Sequence, residues 1–449
     1  MNLNCLTNQI LMKNSLLYFF LILLLSGCIF GKKNNLQNRA YIYSENLKQA
    51  QPFFKVYNDS KTTSTLYCNI KTSDFLSIYS LSEKQNKINY ILTGNLYLDG
   101  EGFAVDSFSI SKNIATDTIT EISEKISLQT KEGEKYLLKI KLIDNHKIST
   151  TNHSISIDKT NSNKDDYLVF DEKNRLQFSS YFNISDSLFI QNNTKQKKLF
   201  IKYYNDYFPL AKPPFSVGEV KSKEIMVNKK FPLISDTTFF ILPINKKGIY
   251  QILEDENTEN GMSILAFEND FPKTTFAKDM ITPLKYICTN EEFLQLNEIK
   301  NQKIAIDKFW LSRTKGEKGQ AKKIINTFYK RVEDANTFFT SYKAGWKTDR
   351  GMIMIIFGAP NIIYQSKEGE SWIYGEKNNA FSLNFTFTKM ENKFTNNDYQ
   401  LNRSLYFKNI WNTAQNAWRD GHAYSDMDIK EKIYEQERRQ RQSQLYFWY

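Results

Sequence analysis

Lys135-Tyr136-Leu137-Leu138-Lys139-Ile140-Lys141-Leu142 carries the pattern that decides the fold. Tyr136, Leu138, Ile140 and Leu142 fall two residues apart. Successive side chains of a strand point to opposite faces, so this spacing builds one apolar face. Upstream, Ile88, Tyr90, Leu92, Leu96 and Leu98 repeat it, and Ile155 and Ile157 continue it downstream. Asp99-Gly100-Glu101-Gly102 and Lys131-Glu132-Gly133 supply the turns between runs. From Thr63 to Lys159 no helical period interrupts. Short alternating runs at such spacing predict an antiparallel β-sandwich over residues 61–160.

Beyond the polar linker Asn161–Asp166, a second β-rich stretch predicts another sandwich over residues 166–280. Its runs include Ser187–Gln191, Leu199–Tyr204, Thr237–Leu242 and Lys247–Ile252. Pro209, Pro213 and Pro214 belong in a loop or on an edge, because proline cannot donate to a ladder. Composition then changes. Thr289-Asn290-Glu291-Glu292 has the form of a capping box, and Glu291–Leu311 is expected as one helix. Gln320–Thr340 is expected as a second, with Ile324, Phe328, Val332, Ala335 and Phe339 on one stripe. Met352–Phe357 is expected as a buried strand, ended by Gly358-Ala359-Pro360. Trp372–Tyr374 makes another. Phe381, Leu383, Phe385 and Phe387 alternate with polar residues in the clearest half-buried strand. Leu405–Asp420 is expected as a helix with Trp411 and Trp418. A charged helical tail over 425–449 ends in Leu445-Tyr446-Phe447-Trp448-Tyr449 and should dock. The fold class expected is mostly β: two immunoglobulin-like sandwich modules, then an α+β domain with a helical hairpin and a small antiparallel sheet.

Near the N-terminus, Lys13, the apolar run Leu16–Leu25 and Leu25-Ser26-Gly27-Cys28 resemble a bacterial lipoprotein signal peptide over 1–27. Translation from Met1 or from Met12 both fit. The resemblance implies lipidation (palmitate among the chains) of Cys28, a tether over 28–60 and firm membrane anchoring, since more than one acyl chain is needed. Surface-exported lipoproteins of the kind resembled carry acidic residues after the cysteine; residues 29–35 hold none, so the resemblance implies the periplasmic face of the outer membrane. Of the 449 residues, 60 are Lys or Arg and 49 Asp or Glu, for a formal charge of +11. The surplus is spread along the chain rather than gathered in a stripe, so nucleic acid is not an expected partner. Cys68 and Cys288 are either small buried residues or, in an oxidising compartment, a pair.

Gly345-Trp346-Lys347-Thr348-Asp349-Arg350-Gly351 resembles the signature of the GWxTD-domain family of Bacteroidota and related bacteria. Asp307-Lys308-Phe309-Trp310 and Tyr329-Lys330-Arg331-Val332 upstream agree with it. So do Gly358-x-Pro360, Trp372-x-Tyr374, Trp411, Trp418-Arg419 and Gly421 downstream. The resemblance covers 289–424 and implies a lipoprotein with β modules ahead of this domain, but no established activity. Two readings of the motif stand. In one it is a structural corner: Gly345 stops the helix in the left-handed region, Trp346 packs on it, Thr348 or Asp349 bonds backbone amides, and Gly351 permits close approach. In the other, Asp349 and Arg350 line a binding or catalytic cleft. Gly358-x-Pro360 and Trp372-x-Tyr374 are also similar to a stretch of the small lipoprotein of the outer-membrane barrel-assembly machine.

His146, His153 and His422 come with no Cys or carboxylate cluster, so no metal site is predicted. No Gly-x-Ser-x-Gly elbow, Walker loop or dinucleotide fingerprint occurs, and no cofactor is expected. Asp99, Glu101 and Asp106 sit in a turn whose spacing matches no calcium loop. The leading expectation is a binding or scaffold component for envelope proteins, in outer-membrane assembly or secretion, with the domain at 289–424 as its working end. The rival is an envelope hydrolase acting on peptide or glycan, with a carboxylate site near Asp349. A polar pocket beside Asp349 would favour the rival. A flat aromatic patch around Trp372 and the C-terminal aromatics would favour the scaffold.

Overall fold

Alternation in the first β segment becomes strands β1 (Phe53–Tyr57), β2 (Thr63–Lys71), β3 (Ile78–Ser80), β4 (Gln85–Leu98), β5 (Ala104–Ala115), β6 (Glu121–Gln129), β7 (Lys135–Asp144) and β8 (Ser149–Asp158). The computed structural model describes residues 38–43, 50–161, 163–194, 196–218, 224–268 and 270–446. Cys28, the signal-like segment and the aromatic terminus 447–449 lie outside them. One sheet runs β1-β2-β6. The other runs β3-β4-β7-β8, with β5 also on β4, and all pairs are antiparallel. Tyr136, Leu138, Ile140 and Leu142 turn inward from β7 to meet Ile88, Tyr90 and Leu92 of β4 and Leu66 and Ile70 of β2. Each such side chain contributes roughly 1.5–3 kcal/mol, so a one-residue slip in register would expose the whole face. Glu124, buried on β6, accepts from the Tyr90 hydroxyl at 2.6 Å and pairs with Lys112 at 2.6 Å.

The second sandwich holds β9 (Tyr167–Phe170), β10 (Tyr181–Asn183), β11 (Ser187–Asn192), β12 (Lys198–Tyr204), β13 (Lys229–Ile234), β14 (Phe239–Pro243), β15 (Gly248–Leu253) and β16 (Met262–Phe267). Its sheets are β10-β16-β15-β12-β13 and β14-β11-β9, and only β10–β16 is parallel. Polar side chains join the two sandwiches. The Asn58 and Asn193 amides both donate to Asp166 (2.9 and 3.0 Å), and the Asn58 backbone amide donates to the Asp165 carbonyl at 2.7 Å.

The C-terminal part begins with α1 (Ala277–Ile281), α2 (Asn290–Glu298), α3 (Gln302–Arg313), α4 (Lys318–Phe339) and α5 (Asp349–Phe357). The antiparallel meander β17 (Ile362–Gln365), β18 (Gly369–Tyr374), β19 (Leu383–Lys389) and β20 (Tyr399–Leu401) follows, then α6 (Phe407–Arg419) and α7 (Asp426–Tyr446). The capping box forms: Thr289 accepts from Glu292 N at 3.2 Å and Glu292 accepts from Thr289 N at 2.8 Å. The expected single helix 291–311 is two, because Asn301 turns out of the first and caps α3 by accepting from Ile304 N at 3.2 Å. The stripe on α4 is buried as expected.

The largest correction concerns Met352–Phe357, which is helix and not strand. Thr348 caps it, and Gly358, at φ +81°, closes it. Every residue from Arg350 to Phe357 is buried, so α5 is apolar all round, as a central helix must be. Around it pack Phe328, Phe339, Trp372, Phe385, Trp411 and Trp418 in one core.

Within the segment expected as a tether, Ala40–Tyr43 form a 3-10 turn with Ala40 and Tyr43 in that same core, and β1 belongs to the first sandwich. No helix of the described residues is long and apolar enough to cross a membrane.

Candidate functional site

The motif joins the end of α4 to the start of α5. Thr340 and Asn336 of the preceding turn set its entry: Gly345 N donates to Thr340 Oγ1 at 3.1 Å and Trp346 N to Asn336 Oδ1 at 3.2 Å. Gly345 does not stop α4 from the left-handed region as expected. The helix ends at Phe339, and glycine is required because a Cβ would lie 1.9 Å from the Ala335 carbonyl oxygen. Gly351 needs its bare backbone for the same reason, with the Gly345 carbonyl 2.0 Å from a Cβ. Thr348 accepts from Gly351 N at 3.1 Å and donates to the Gly345 carbonyl at 2.7 Å, tying the turn to the helix it starts.

Asp349 points toward β20. Its carboxylate accepts from Leu401 N at 2.8 Å and takes the Arg403 guanidinium at 2.6 and 3.0 Å. Arg350 points into the core and is 2% exposed. Its Nη1 meets Glu370 Oε1 at 3.1 Å, and its Nη2 bonds the Asn397 carbonyl at 3.1 Å and the Asn397 side chain. Its plane lies over the Tyr399 ring at 3.8 Å. Glu370 also accepts from Tyr43 Oη (2.8 Å), Gln365 Nε2 (2.8 Å) and Trp372 Nε1 (2.9 Å). Burial and the neighbouring Glu370 charge push the Tyr43 phenol well above its ordinary range. A buried pair supplied with this many bonds keeps both charges satisfied.

Gly358 sits where a Cβ would press on Arg331 at 2.9 Å, and Pro360 is buried just beyond. Arg331 closes the C-terminus of α5, donating to the Ile355 and Ile356 carbonyls at 3.2 Å each, where the helix dipole favours a cation. Burial still lowers its pKa to about 10. Trp372 is fully buried against Tyr43, Phe339 and Phe387, so it lends no face to the aromatic patch expected around it, whose C-terminal members lie outside the described side chains.

Two hollows flank the motif. One, about 620 Å³, lies between the second sandwich and the C-terminal part, with Trp346, Lys343, Lys347, Phe208, Phe271 and Lys247 in its walls. The other, about 370 Å³, holds Asp349, Asp398, Lys343, Arg403 and Tyr399. Burial raises the Asp398 carboxyl above its ordinary value, while Asn392 donates to it at 3.0 Å.

The motif residues Gly345, Trp346, Thr348, Asp349, Arg350 and Gly351 therefore gather at one corner, and Gly358, Pro360 and Trp372 mark the far end of α5 and the sheet it packs on. Sequence reading missed Glu370, Arg403, Asn397 and Tyr43. Glu370 left a signal: it shares the inward parity of Trp372 and Tyr374 on β18, an acid on an apolar face. The remaining candidates scatter. Asp99 pairs with Lys367 at 2.7 Å, and Asp106 accepts from Ser107 N and Gln129 N at 2.8 Å each. His146 and His153 lie in the first sandwich, and His422 meets Asp428 at 2.7 Å. Among the described residues no group of three or more His, Cys, Asp or Glu could hold a metal. Cys68 and Cys288 are free thiols in separate cores, each raised to about 12 by burial.

Fold and site together define a multimodular β protein whose C-terminal α+β part is organised around a Gly-Trp-x-Thr-Asp corner. The family model of the GWxTD domain matches residues 248–420, and the chain carries a GWxTD domain there. That match begins at β15, so it takes in the last two strands of the second sandwich. No curated protein matches the chain. Among solved structures, a glycosyl hydrolase family 2 member from Bacteroides cellulosilyticus DSM 14838 is similar over 28% of this chain and 16% of its own, at 11% identity and TM-score 0.18. A putative beta-galactosidase from Bacteroides fragilis is similar over 30% of this chain and 19% of its own, at 15% identity and TM-score 0.18. The chain spans under a fifth of either structure's length.

Proposed function

We propose that this chain is a membrane-tethered binding or scaffold component for envelope proteins, held through a lipid on Cys28 at the periplasmic face of the outer membrane and serving assembly or secretion there. The observation that carries the reading is the commitment of the motif's charges. Asp349 is held by Arg403 and a backbone amide, and Arg350 by Glu370 and Asn397. Both act within the fold, and the accessible feature beside them is a concave surface between two modules. The test is affinity purification of the tagged, full-length chain from solubilised membranes. Specific outer-membrane or periplasmic proteins should co-elute in fixed ratio, and Cys28→Ser should leave the membrane fraction. Recovery of the chain alone, or an unchanged fractionation of Cys28→Ser, overturns the reading.

A second reading, an envelope hydrolase acting on peptide or glycan, is favoured by the hollow that Asp349 and Asp398 share. Two carboxyl groups in one hollow, one of them raised by burial, are the raw material of an acid–base pair. The Arg403 pair holds Asp349 as a structural acceptor, which places this reading second. Asp398→Asn that abolishes a hydrolytic activity of the pure chain would reverse the order.

A further inference from the structure

Exposed apolar side chains gather at one end of the first sandwich. Leu76 precedes β3, Ile78 and Tyr79 lie on it, and Leu81 stands 84% exposed at the tip of the β3–β4 hairpin. Ile119 lies on the β5–β6 loop, and Ile148, 91% exposed, on the β7–β8 turn. Strand direction puts them all at the same end: β2 and β7 finish there, while β4, β6 and β8 start there. The junction with the second sandwich, at Asn58 and Asp166, lies at the opposite end. Hydrogen bonds hold the loops to one another. The buried Asp144 carboxylate accepts from Leu76 N at 2.8 Å and from His146 N at 3.0 Å. His146 Nδ1 meets the Leu76 carbonyl at 3.1 Å, and Thr72 Oγ1 donates to the Ile119 carbonyl at 2.8 Å.

Ile148 is the most telling of them. Its φ is +53°, a region that crowds the Cβ and is rarest for β-branched residues. Glycine or asparagine suits such a turn better. The isoleucine side chain stands in water there and gives the fold nothing, so its use lies outside the chain. Charge does not select the occupant. Lys71, Lys84, Lys87 and Lys147 around this end are matched by Asp74, Glu83, Asp117 and Glu121. The attraction is therefore apolar. Reach does select it. Cys28 stands 11 positions before Arg39, at most about 40 Å of fully extended chain. Arg39 Nη2 donates to Ser154 Oγ on β8 at 3.4 Å. Gln51 joins the Tyr41 carbonyl (2.7 Å) to Asp74, on the loop before β3 (3.3 Å). A lipid on Cys28 thus keeps a bilayer within reach of this end. Apolar side chains on separate loop tips suit insertion between lipids, and a tyrosine among them suits the headgroup level.

Resting on the Cys28 anchor of the reading above, we infer that this end of the first sandwich seats on the lipid bilayer. Leu81 and Ile148 enter the acyl boundary, and Tyr79 lies among the headgroups. The contact is apolar and needs no anionic lipid.

The experiment places the natural chain, purified from membranes, on vesicles of phosphatidylcholine brominated along the acyl chain. Quenching of an introduced tryptophan is read. Leu81→Trp and Ile148→Trp should each lose about half or more of the added emission, as residues at the acyl boundary do. Ile241→Trp, exposed on β14 of the second sandwich, should lose none. Salt at about 0.5 M should change nothing, since screening does not weaken apolar insertion. No quenching at 81 and 148, equal quenching at all three positions, or quenching abolished by salt overturns the inference. Hydroxyl-radical footprinting tests the other occupant: Leu81 and Ile148 that are shielded only after envelope proteins are added mark a protein site and overturn it too. Should the tryptophan variants misfold, Ile148→Asn decides. Asparagine accepts the left-handed turn, so the denaturant midpoint should hold or rise. Footprinting of Leu81 on vesicles should then increase about twofold or more as the wedge is lost, and unchanged shielding overturns the inference. The two proposals fail separately. A chain that Cys28→Ser releases from membranes, but whose positions 81 and 148 stay unquenched, sinks only the seating. Quenching there in a chain that recovers no envelope protein sinks only the scaffold.

Discussion

At the scale of single residues, the Arg350–Glu370 pair is the most sensitive point of the fold. Both side chains are almost wholly buried, at 2% and 0% exposed, and each is the other's charge. Glu370→Gln should lower unfolding free energy by about 3–5 kcal/mol, because it leaves a guanidinium buried without a counter-charge. Denaturant melts measure it, and Arg350→Met in the same chain should restore part of the loss. A second effect depends on pH. His153, on β8, is held neutral by burial and by the Arg39 charge, which bring its pKa from 6.5 to about 4. The unfolded chain takes up that proton first. Stability is therefore complete above about pH 6.5 and falls as the pH drops toward 4. The loss is on the order of 2 kcal/mol, allowing for partial exposure of the ring. Comparing melts of His153→Gln with the natural chain checks it: the substituted chain should show a flatter profile through that range.

At the scale of elements, α5 depends on its first hydrogen bond. Thr348→Ala removes the cap and should cost about 1 kcal/mol, read as a shift in the denaturant midpoint. Gly351→Ala should cost considerably more, since a methyl there meets the Gly345 carbonyl inside van der Waals distance. The same helix shows where sequence reading stops. Met352 to Phe357 are consecutive apolar residues, and a solid apolar run fits a buried strand and a buried helix equally. Only burial on every side, a tertiary fact, separates them. The caps were present as Thr348 and Gly358 but served equally well as turn residues. By contrast β7, β19 and α4 were legible because each leaves one face in water, and that face prints a period into the sequence. The break between α2 and α3 left no mark, since Ile299-Lys300-Asn301 holds neither Gly nor Pro. Of the site, the glycines and the Thr cap were readable from local chemistry. Arg403 was not, lying 54 positions from Asp349, and no local rule links them.

Across the whole molecule, the segment Arg39–Tyr43 holds distant parts together. Arg39 N donates to the Ile363 carbonyl on β17 at 2.9 Å, and the Tyr41 hydroxyl to the Asn152 carbonyl on β8 at 2.8 Å. Tyr43 packs on Phe338, Phe339 and Trp372. Tyr43→Ala should destabilise the C-terminal part by about 3–5 kcal/mol, by analogy with buried aromatic truncations. Limited proteolysis should then release fragments from 277–446 while the first sandwich resists. Equal protection of both regions would show that Tyr43 carries no such weight.

That segment also sets the mechanics of the chain. Force carried along Arg39–Tyr43 is divided at once: Arg39 passes it to β17 through the Ile363 carbonyl, Tyr41 passes it to β8 through Asn152, and Tyr43 passes it to the Glu370–Arg350 pair. Tension on this short stretch would thus strain the first sandwich and the C-terminal core together, so that neither yields alone.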